Sequence, residues 1–339
     1  MKAAVLRQIG KPVQVEDVSM PKIGPDEVLI RTKTCGICRT DIHIQDGLAY
    51  IPDFPHILGH EPAGVVEAIG ENVSNVSVGT RVAPHLFLTC GACRNCRSGR
   101  DAQCLKVRGV IGVTAPGGFA EYFKAPARNL FALPENVSFE NGGLVSCAVI
   151  TATHAYRRAR LELGDTVVVI GAGGIGRMLI QLLAAGGMKV VAISRSREAL
   201  ESSTKDGAHL ALSINLPDLA EQAVEFSGGE GADCAFDCVG TSATMKTAAA
   251  CLGRGGRIVV IGEEPEFPEI DTIQIAQKEL EIIGSRNGSF QDAVDSVEMI
   301  AQGIVRPPIH ARFPLEGLND ALELMRRGKT QGRIIIELK

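Results

Sequence analysis

Long apolar runs are missing from this chain: no uncharged stretch approaches the roughly 20 apolar residues needed to span a bilayer. The amino terminus, MKAAVLRQIGKPVQVEDV, carries positive charges without a long apolar run after them. It is interpreted as strand, turn and strand, not as a secretory signal. Tryptophan, internal repeats and low-complexity segments are also absent. We therefore expect no membrane partner and a cytoplasmic location.

An excess of positive charge is missing as well. Lysine and arginine number 35 against 39 aspartates and glutamates, which gives a net charge of −4 and a pI near 6.0. The two signs are well mixed along the chain. Arg94, Arg97 and Arg100 lie close together, but they are too few for a nucleic-acid backbone footprint. The composition therefore excludes nucleic acid as a partner.

Cysteine is plentiful, and four of the ten cysteines stand in one short stretch, TCGACRNCRSGRDAQC. Cys90, Cys93, Cys96 and Cys104 have the spacing C-x2-C-x2-C-x7-C, which suits a tetrahedral structural zinc site with every position filled by protein. Four free thiols are the first alternative, but cysteines are rarely grouped this way without a metal or disulfides. In a reducing cytosol, metal binding is more common than disulfide formation. An iron–sulfur cluster is the second, but the ferredoxin run has a shorter last gap followed by proline. Here the last cysteine is followed by Leu105.

The pattern of apolar residues changes near residue 148, and a chain of 339 residues has room for about two domains. Residues 1–147 show short alternating apolar stretches broken by glycine and proline, which predicts an all-β body. Residues 148–290 alternate apolar strands such as TVVVIG and KVVAIS with helical segments, which predicts a parallel sheet covered on both faces. The tail, 291–339, predicts two helices and a final strand, RIIIELK.

A glycine-rich turn follows the strand Val167–Ile170 and precedes an apolar helix. It has the pattern GxGxxG and consists of Gly171, Ala172, Gly173, Gly174, Ile175 and Gly176. The first glycine of the pattern permits the tight turn, the second lets the backbone approach a pyrophosphate, and the third allows close packing of helix on strand. The phosphates would lie at a helix N-terminus, which favours anions. We therefore expect a dinucleotide-binding site, against the alternative of a merely structural turn.

The next strand ends in a serine, where binders of NAD usually have an acidic residue that grips the adenosine ribose. Ser194 occupies that position, and Arg195 and Arg197 follow it. A serine beside guanidinium groups can accept the 2′-phosphate of NADP through charge-assisted hydrogen bonds. The sequence therefore predicts NADP in preference to NAD. The alternative is that both arginines are solvated surface charges.

Three separated segments carry further candidate metal ligands: GICRTDIH with Cys38, GHEP with His60 and SCAVIT with Cys147. One histidine and two cysteines would form a zinc site with a fourth position open to substrate, which is the pattern of a catalytic site. Spacing alone does not show that these segments meet. Taken singly, Cys147 is interpreted as a buried core thiol and His60 as a hydrogen-bonded turn residue.

The chain closely resembles the zinc-dependent alcohol dehydrogenases of the medium-chain dehydrogenase/reductase family over essentially its full length. The motifs that carry the resemblance are GICRTDIH, LGHEPAGVV, the four-cysteine loop, SCAVITATH, VVVIGAGGIG and the terminal QGR. The resemblance implies an α/β fold, with a doubly wound Rossmann domain at 148–290. It also implies a GroES-like, mainly-β catalytic domain at 1–147, completed by 291–339.

The resemblance also implies roles for individual residues near the metal. Cys38, His60 and Cys147 would bind a catalytic zinc, so that the chain holds two zinc ions, while Cys35 would not be a ligand. Glu61 would lie behind the metal as a transient ligand, and Asp41 would orient the imidazole of His60. Thr40 would hydrogen-bond the oxygen of the substrate alcohol, and His43 would form the outer end of a proton relay.

For the cofactor, the resemblance implies that Arg39 and Arg333 contact the pyrophosphate, that Thr151 touches the nicotinamide and that Gly262 lines the nicotinamide side by its backbone. The expected substrate is a small or medium apolar alcohol or the matching aldehyde or ketone, bound near 48–51 and 109–114. Relatives are dimers or tetramers, so a homo-oligomer is expected. The alternatives are a zinc-free quinone or alkene reductase of the same fold and a non-enzymatic zinc-binding interaction protein.

Overall fold

The change in sequence pattern near residue 148 corresponds to a division of the structure into two units. The structure, a computed structural model, describes residues 1–264, 266–328 and 330–338. The first unit contains Met1–Ile150, Ser289–Gly303 and the described chain from Pro307 onward, and the second contains Thr151–Gly288 and Ile304–Arg306. The predicted domains differ from these units at both boundaries, where 148–150 and 289–290 belong to the first unit, and in 304–306, which clusters with the second unit and not with the rest of the tail.

The described residues form strands and helices with the following bounds. The strands are β1 Lys2–Leu6, β2 Gln14–Asp17, β3 Glu27–Ile37, β4 His56–Ile57, β5 Glu61–Ile69, β6 Arg81–Pro84, β7 Tyr122–Pro126, β8 Leu130–Ala132, β9 Thr166–Ile170, β10 Lys189–Ser194, β11 Leu210–Ser213, β12 Ala232–Asp237, β13 Leu252–Val260, β14 Glu281–Gly284, β15 Ile309–Pro314 and β16 Arg333–Glu337. The helices are α1 Arg39–Asp46, α2 Arg94–Arg97, α3 Phe139–Leu144, α4 Ile150–Ala159, α5 Gly174–Ala185, α6 Arg197–Lys205, α7 Leu219–Phe226, α8 Ser242–Cys251, α9 Thr272–Lys278, α10 Phe290–Ala301 and α11 Leu318–Arg326. Among them, none has the length and apolar character to cross a membrane.

The first unit is built on two sheets. A three-stranded antiparallel sheet has the order β2-β1-β4, and a seven-stranded sheet has the order β15-β16-β3-β5-β6-β8, with β7 also paired to β3. Strand β3 alternates half-buried and buried residues, as expected for a strand with one face on the core. The prediction of an all-β body is incomplete, because helices such as α1 and α3 interrupt the strands and carry site residues or their neighbours.

The second unit has a six-stranded parallel sheet with the order β11-β10-β9-β12-β13-β14. The central strand β9 is buried along its whole length, which explains its uninterrupted run of apolar residues. This is the doubly wound order of a Rossmann fold, so the predicted fold class is confirmed. The order in which successive strands are added to the sheet reverses between β9 and β12, and ligands of such sheets bind at the carboxyl ends of the strands there.

Candidate active site

Two thiols, an imidazole and a carboxylate from three segments of the first unit lie together. One ligand atom from each of Cys38, His60, Glu61 and Cys147 lies within 4.8 Å of the others. Cys38 ends the segment after β3, His60 and Glu61 lie at the start of β5, and Cys147 lies beyond α3. The tertiary fold therefore brings together the three residues predicted to bind a catalytic metal and Glu61, which was expected to lie behind that metal.

Local backbone geometry presents the two cysteines. Cys38 is the N-cap of α1, where its backbone N–H donates to Oδ2 of Asp41 at 2.9 Å. Cys147 lies in the middle of a π-helical turn, Val145–Val149, between α3 and α4. Such turns insert one residue into a helix and change the direction of the side chains that follow. The turn therefore gives Cys147 a direction that a continuous α-helix would not.

Asp41 fixes the segment that carries the imidazole. It is fully buried, and its Oδ1 accepts from the backbone N–H of Gly59 at 3.2 Å. Nδ1 of His60 lies 3.4 Å from the same oxygen, close enough for an electrostatic contact although not aligned as a hydrogen bond. With Nδ1 directed at this carboxylate, Nε2 is the ring atom available to a metal, as in other carboxylate–histidine pairs at metal sites.

Glu61 is buried in an ion pair with Arg333. Nη2 of the arginine lies 2.7 Å from Oε1, and the two side chains are 0% and 8% exposed. Oε2 is buried and has no hydrogen-bond partner, so it is an acceptor that a cation could satisfy. Burial raises the pKa of Glu61 to about 7, against the opposing effect of the Arg333 charge. A Cβ on Gly36 would lie 2.2 Å from Oε2, so only glycine leaves room for this carboxylate.

A hydrogen bond couples the titration of the two cysteine thiols. A hydrogen bond from Cys147 holds the pKa of Cys38 well below its usual range, and the same bond raises the pKa of Cys147. The bond therefore favours the thiolate of Cys38 over that of Cys147. The donor set of two sulfurs, one imidazole nitrogen and one unpartnered carboxylate oxygen suits Zn²⁺, which deprotonates its thiol ligands.

The predicted relay residues lie on α1. Oγ1 of Thr40 is 3.8 Å from Sγ of Cys38, and His43 is half-buried three residues further along the helix. Side chains three apart lie on the same helix face. Arg39, predicted to contact a pyrophosphate, is exposed in the first turn of α1. Arg333, also predicted to contact the pyrophosphate, lies among the buried groups around Glu61.

The four-cysteine loop forms a second cluster in which all four sulfurs lie within 4.8 Å of one another. The Cys90–Cys96 and Cys93–Cys96 sulfur pairs are 3.9 and 3.5 Å apart. A tetrahedral zinc ion with bonds of about 2.3 Å requires sulfur–sulfur distances of about 3.8 Å. Backbone N–H groups of Cys96 and Leu105 lower the pKa of Cys93 to about 6. The loop therefore has the spacing and the thiolate stabilisation that a structural zinc site needs.

The glycine-rich turn lies at the carboxyl end of β9, where α5 begins. Gly171 has φ of 95°, which favours glycine, and a Cβ on Gly176 would lie 2.1 Å from the Gly171 carbonyl oxygen. A Cβ on Gly173, the N-cap of α5, would meet nothing within 4 Å, so the space in front of the helix is open. The first turn of α5 carries no acidic residue. The turn therefore fits a diphosphate.

The remaining predicted cofactor residues occupy different positions in the second unit. Ser194 ends β10 and is partly exposed, and Arg195 is exposed beside it. Arg197 forms a solvent-exposed ion pair with Glu201 at 2.9 Å. Thr151 is buried in α4. Gly262 follows β13, in a backbone contact with the loop after β12.

Sequence reasoning missed two features of the site. The pairing of Glu61 with Arg333 joins residues far apart in the chain, and no local pattern signals it. The π-helical turn around Cys147 was also missed, although the two glycines in FENGG before it mark a departure from regular helix.

Comparison with known proteins identifies relatives of both units. The model of the alcohol dehydrogenase GroES-like domain matches residues 24–135, and the zinc-binding dehydrogenase model matches residues 174–302. An alcohol dehydrogenase of Geobacillus stearothermophilus is 35% identical over 340 residues, covering 100% of both chains.

Solved structures agree with these matches. The alcohol dehydrogenase of the hyperthermophilic archaeon Aeropyrum pernix superposes with a TM-score of 0.92 at 31% identity, over 100% of both chains. A cobalt- and zinc-bound thermostable alcohol dehydrogenase from Pyrobaculum aerophilum gives a TM-score of 0.90 at 31% identity, covering 100% of this chain and 99% of that one. The predicted family is therefore confirmed: the chain belongs to the medium-chain dehydrogenase/reductase family and is one of its alcohol dehydrogenases.

Proposed function

We propose that this dehydrogenase requires zinc and transfers hydride reversibly between a small or medium apolar alcohol and the matching aldehyde or ketone. The convergence of Cys38, His60 and Cys147 on one buried point carries the proposal. Two sulfur ligands and one nitrogen ligand leave the fourth position of a tetrahedral ion for substrate, as long as Glu61 stays paired with Arg333. The Pyrobaculum relative, which binds zinc and cobalt, supports a metal-dependent reaction.

The residues of the chain orient the reactants and move a proton. When bound, zinc would act as a Lewis acid on the substrate oxygen and the nicotinamide would carry the hydride. Thr40, beside Cys38, would accept the hydroxyl proton of the alcohol as it donates its own hydroxyl proton toward His43. His43, on the same helix face and partly exposed, would pass that proton to solvent. Asp41 would hold His60 in one orientation through the contact at Nδ1.

Metal analysis combined with turnover tests this proposal. We expect two zinc ions per chain, and oxidation of NADPH or NADH when aldehydes or ketones are added. A protein that holds one zinc ion or none and reduces quinones or alkenes instead would establish the zinc-free alternative. A protein with two zinc ions and no turnover of any carbonyl or alcohol would favour the interaction protein.

We further propose NADP as the preferred cofactor. Ser194 at the end of β10 adds no negative charge where a 2′-phosphate would lie, and Arg195 is exposed next to it. Arg197 attracts a 2′-phosphate less strongly than the sequence predicts, because its guanidinium is paired with Glu201. Ser194→Asp should shift the ratio of kcat/KM toward NAD by at least about tenfold, since a carboxylate repels the phosphate. A wild-type ratio that already favours NAD would overturn the preference.

Ser196→Asp is a matched control for that substitution. Ser196 caps α6 by accepting from the backbone N–H of Ala199 at 3.1 Å, and aspartate caps helices equally well. The control therefore adds the same charge two residues away without disturbing the helix. We expect it to leave most of the cofactor preference intact.

We also propose that the enzyme is a homo-oligomer in the cytoplasm. Strand β14 is an edge of the parallel sheet, and Ile282 on it is 41% exposed. Phe267 and Ile273, in the segment before that strand, are also exposed. Unpaired edge strands with apolar side chains are prone to pair with another chain. Light scattering on the purified protein should give a mass of two or four chains, and a monomer at micromolar concentration would contradict the proposal.

A further inference from the structure

Asp237, at the end of β12, is a fully buried carboxylate to which none of the roles above has been assigned. Its Oδ1 accepts hydrogen bonds from the backbone N–H groups of Val239 and Gly240, each at 2.9 Å. Its Oδ2 accepts from Oγ1 of Thr244, in the first turn of α8, at 2.8 Å. A buried carboxylate is costly unless it is fully hydrogen-bonded. The side chain therefore fixes the loop 238–240 between β12 and α8.

The backbone of the same residue fixes a second loop. The carbonyl oxygen of Asp237 accepts from the N–H groups of Ile261 and Gly262, at 2.9 and 3.0 Å. These two residues directly follow β13, the neighbouring strand. One residue thus holds the loops after two adjacent parallel strands at the same edge of the sheet.

The two loops touch each other and the glycine-rich turn. A Cβ on Gly262 would lie 2.1 Å from the carbonyl carbon of Val239, so the two backbones are in direct contact. A Cβ on Gly171 would lie 2.7 Å from Cγ2 of Val239. The loops therefore continue the surface that begins at the proposed pyrophosphate site. They lie at the carboxyl edge of the sheet, where dinucleotides bind.

We propose that Asp237 is a positioning residue for the nicotinamide half of the cofactor, through its hold on loops 238–240 and 261–262. The inference rests on the proposed dinucleotide site. Asp237 itself does not touch the cofactor, because its carboxylate oxygens are occupied by the loop and by Thr244. Its role depends on accepting hydrogen bonds and not on its charge.

Comparing a whole dinucleotide with its adenosine end tests this role. Asp237→Ala removes all three side-chain bonds and should weaken NADPH binding about tenfold, measured by fluorescence titration. Adenosine 2′,5′-bisphosphate, which carries only the adenosine end, should bind within about twofold of wild type. If the enzyme uses NAD, the same comparison is made with NADH in place of NADPH and with ADP in place of the bisphosphate. The affinities of Asp237→Asn for both ligands should stay within about threefold of the wild-type values. The amide oxygen can still accept the two backbone N–H bonds, and the amide NH2 can donate to Oγ1 of Thr244.

Asp233→Ala is the matched control, since Asp233 lies on the same strand at the opposite end and accepts from the N–H of Thr166 at 2.8 Å. It should change neither affinity. The inference is overturned if Asp237→Ala binds both ligands as wild type does, or weakens both equally. If Asp237→Ala does not fold, Gly262→Ala is measured in its place. We expect Gly262→Ala to weaken the binding of NADPH but not that of adenosine 2′,5′-bisphosphate. If both affinities are unchanged in this variant, the inference is overturned. Wild-type protein that binds neither dinucleotide overturns the proposed function itself.

Discussion

The two thiol clusters differ in where their ligands come from. The loop takes all four from residues 90–104, whereas the second cluster takes Cys38, His60 and Cys147 from three separated segments. The loop cysteines are partly exposed, and their sulfurs accept bonds from backbone N–H groups of the loop itself. The second cluster is mostly buried and lies against the ion pair of Glu61 and Arg333.

This difference separates a site that a short segment can prepare from one that needs a complete domain. Backbone donors within the loop lower the pKa of Cys90 and of Cys93, whereas burial raises the pKa of Cys96. In the buried cluster, the electrostatic environment comes from the carboxylate of Glu61 and from the guanidinium of Arg333, which is distant in the chain. We therefore expect damage to the loop to change stability, and damage to the buried cluster to change turnover. Four substitutions test this expectation, from the largest effect to the smallest.

Cys147→Ala should have the largest effect. It removes a proposed ligand of the buried cluster, so zinc per chain should fall from two to one and kcat by at least about 10³-fold. Elemental analysis and steady-state kinetics measure both. Cys35→Ala is the control: Cys35 is fully buried, whereas Cys147 is partly buried, but it lies outside the cluster, so both zinc ions and most turnover should remain. Full turnover by a one-zinc Cys147→Ala protein would remove the catalytic role from this cluster.

Arg333→Met should have the second-largest effect, which is a loss of stability. It leaves the Glu61 carboxylate buried without its partner, which typically costs about 3 kcal/mol or more in the free energy of unfolding. Adding Glu61→Gln should recover part of that loss, because no uncompensated charge then remains. Chemical denaturation of the two single variants and the double variant gives the coupling energy. Additive losses would show that the pair does not act as a unit.

Cys104→Ala should lower stability and spare the chemistry. One zinc should be lost and Tm should fall by roughly 5 °C, because the loop loses its cross-link. Turnover of the folded protein should stay within about twofold, since the buried cluster keeps its ligands. A loss of activity as large as that of Cys147→Ala would erase the distinction between the two clusters.

His43→Gln should have the smallest effect. Water can complete the proposed relay from Thr40, so kcat at neutral pH should fall only about threefold. His310→Gln, which changes an exposed histidine elsewhere in the first unit, should leave kcat unchanged. A His43→Gln variant with kcat equal to that of wild type would exclude His43 from the proton path.

Features formed by residues that are close in the chain could be predicted from the sequence. The four cysteines are close enough for their spacing to predict a cluster, and the structure brings their sulfurs within 4.8 Å. The glycine-rich turn was equally local, since strand, turn and helix are consecutive. The parallel sheet followed from strand–helix alternation, which has few topological solutions.

Features that depend on packing were not predicted. Helix α1 was missed inside the expected all-β body, although Cys38 and Asp41 form its N-terminal cap. The π-helical turn and the Glu61–Arg333 pair were also missed. The double role of Asp237 was unpredictable for the same reason, because its partners lie on two loops that meet only when β12 and β13 are adjacent.

The sequence by itself determined the fold class, the family and the compact cysteine loop, because apolar periodicity and short motifs act through neighbours in the chain. It also supplied the residues of the buried cluster, but only as separate candidates and through resemblance. Only the tertiary structure placed ligand atoms of Cys38, His60, Glu61 and Cys147 within 4.8 Å of one another, and only it decided that Arg333 compensates the buried carboxylate. The physical reason is that a ligand set needs atoms a few ångströms apart, and strand pairing in the folded sheet determines which distant segments approach that closely.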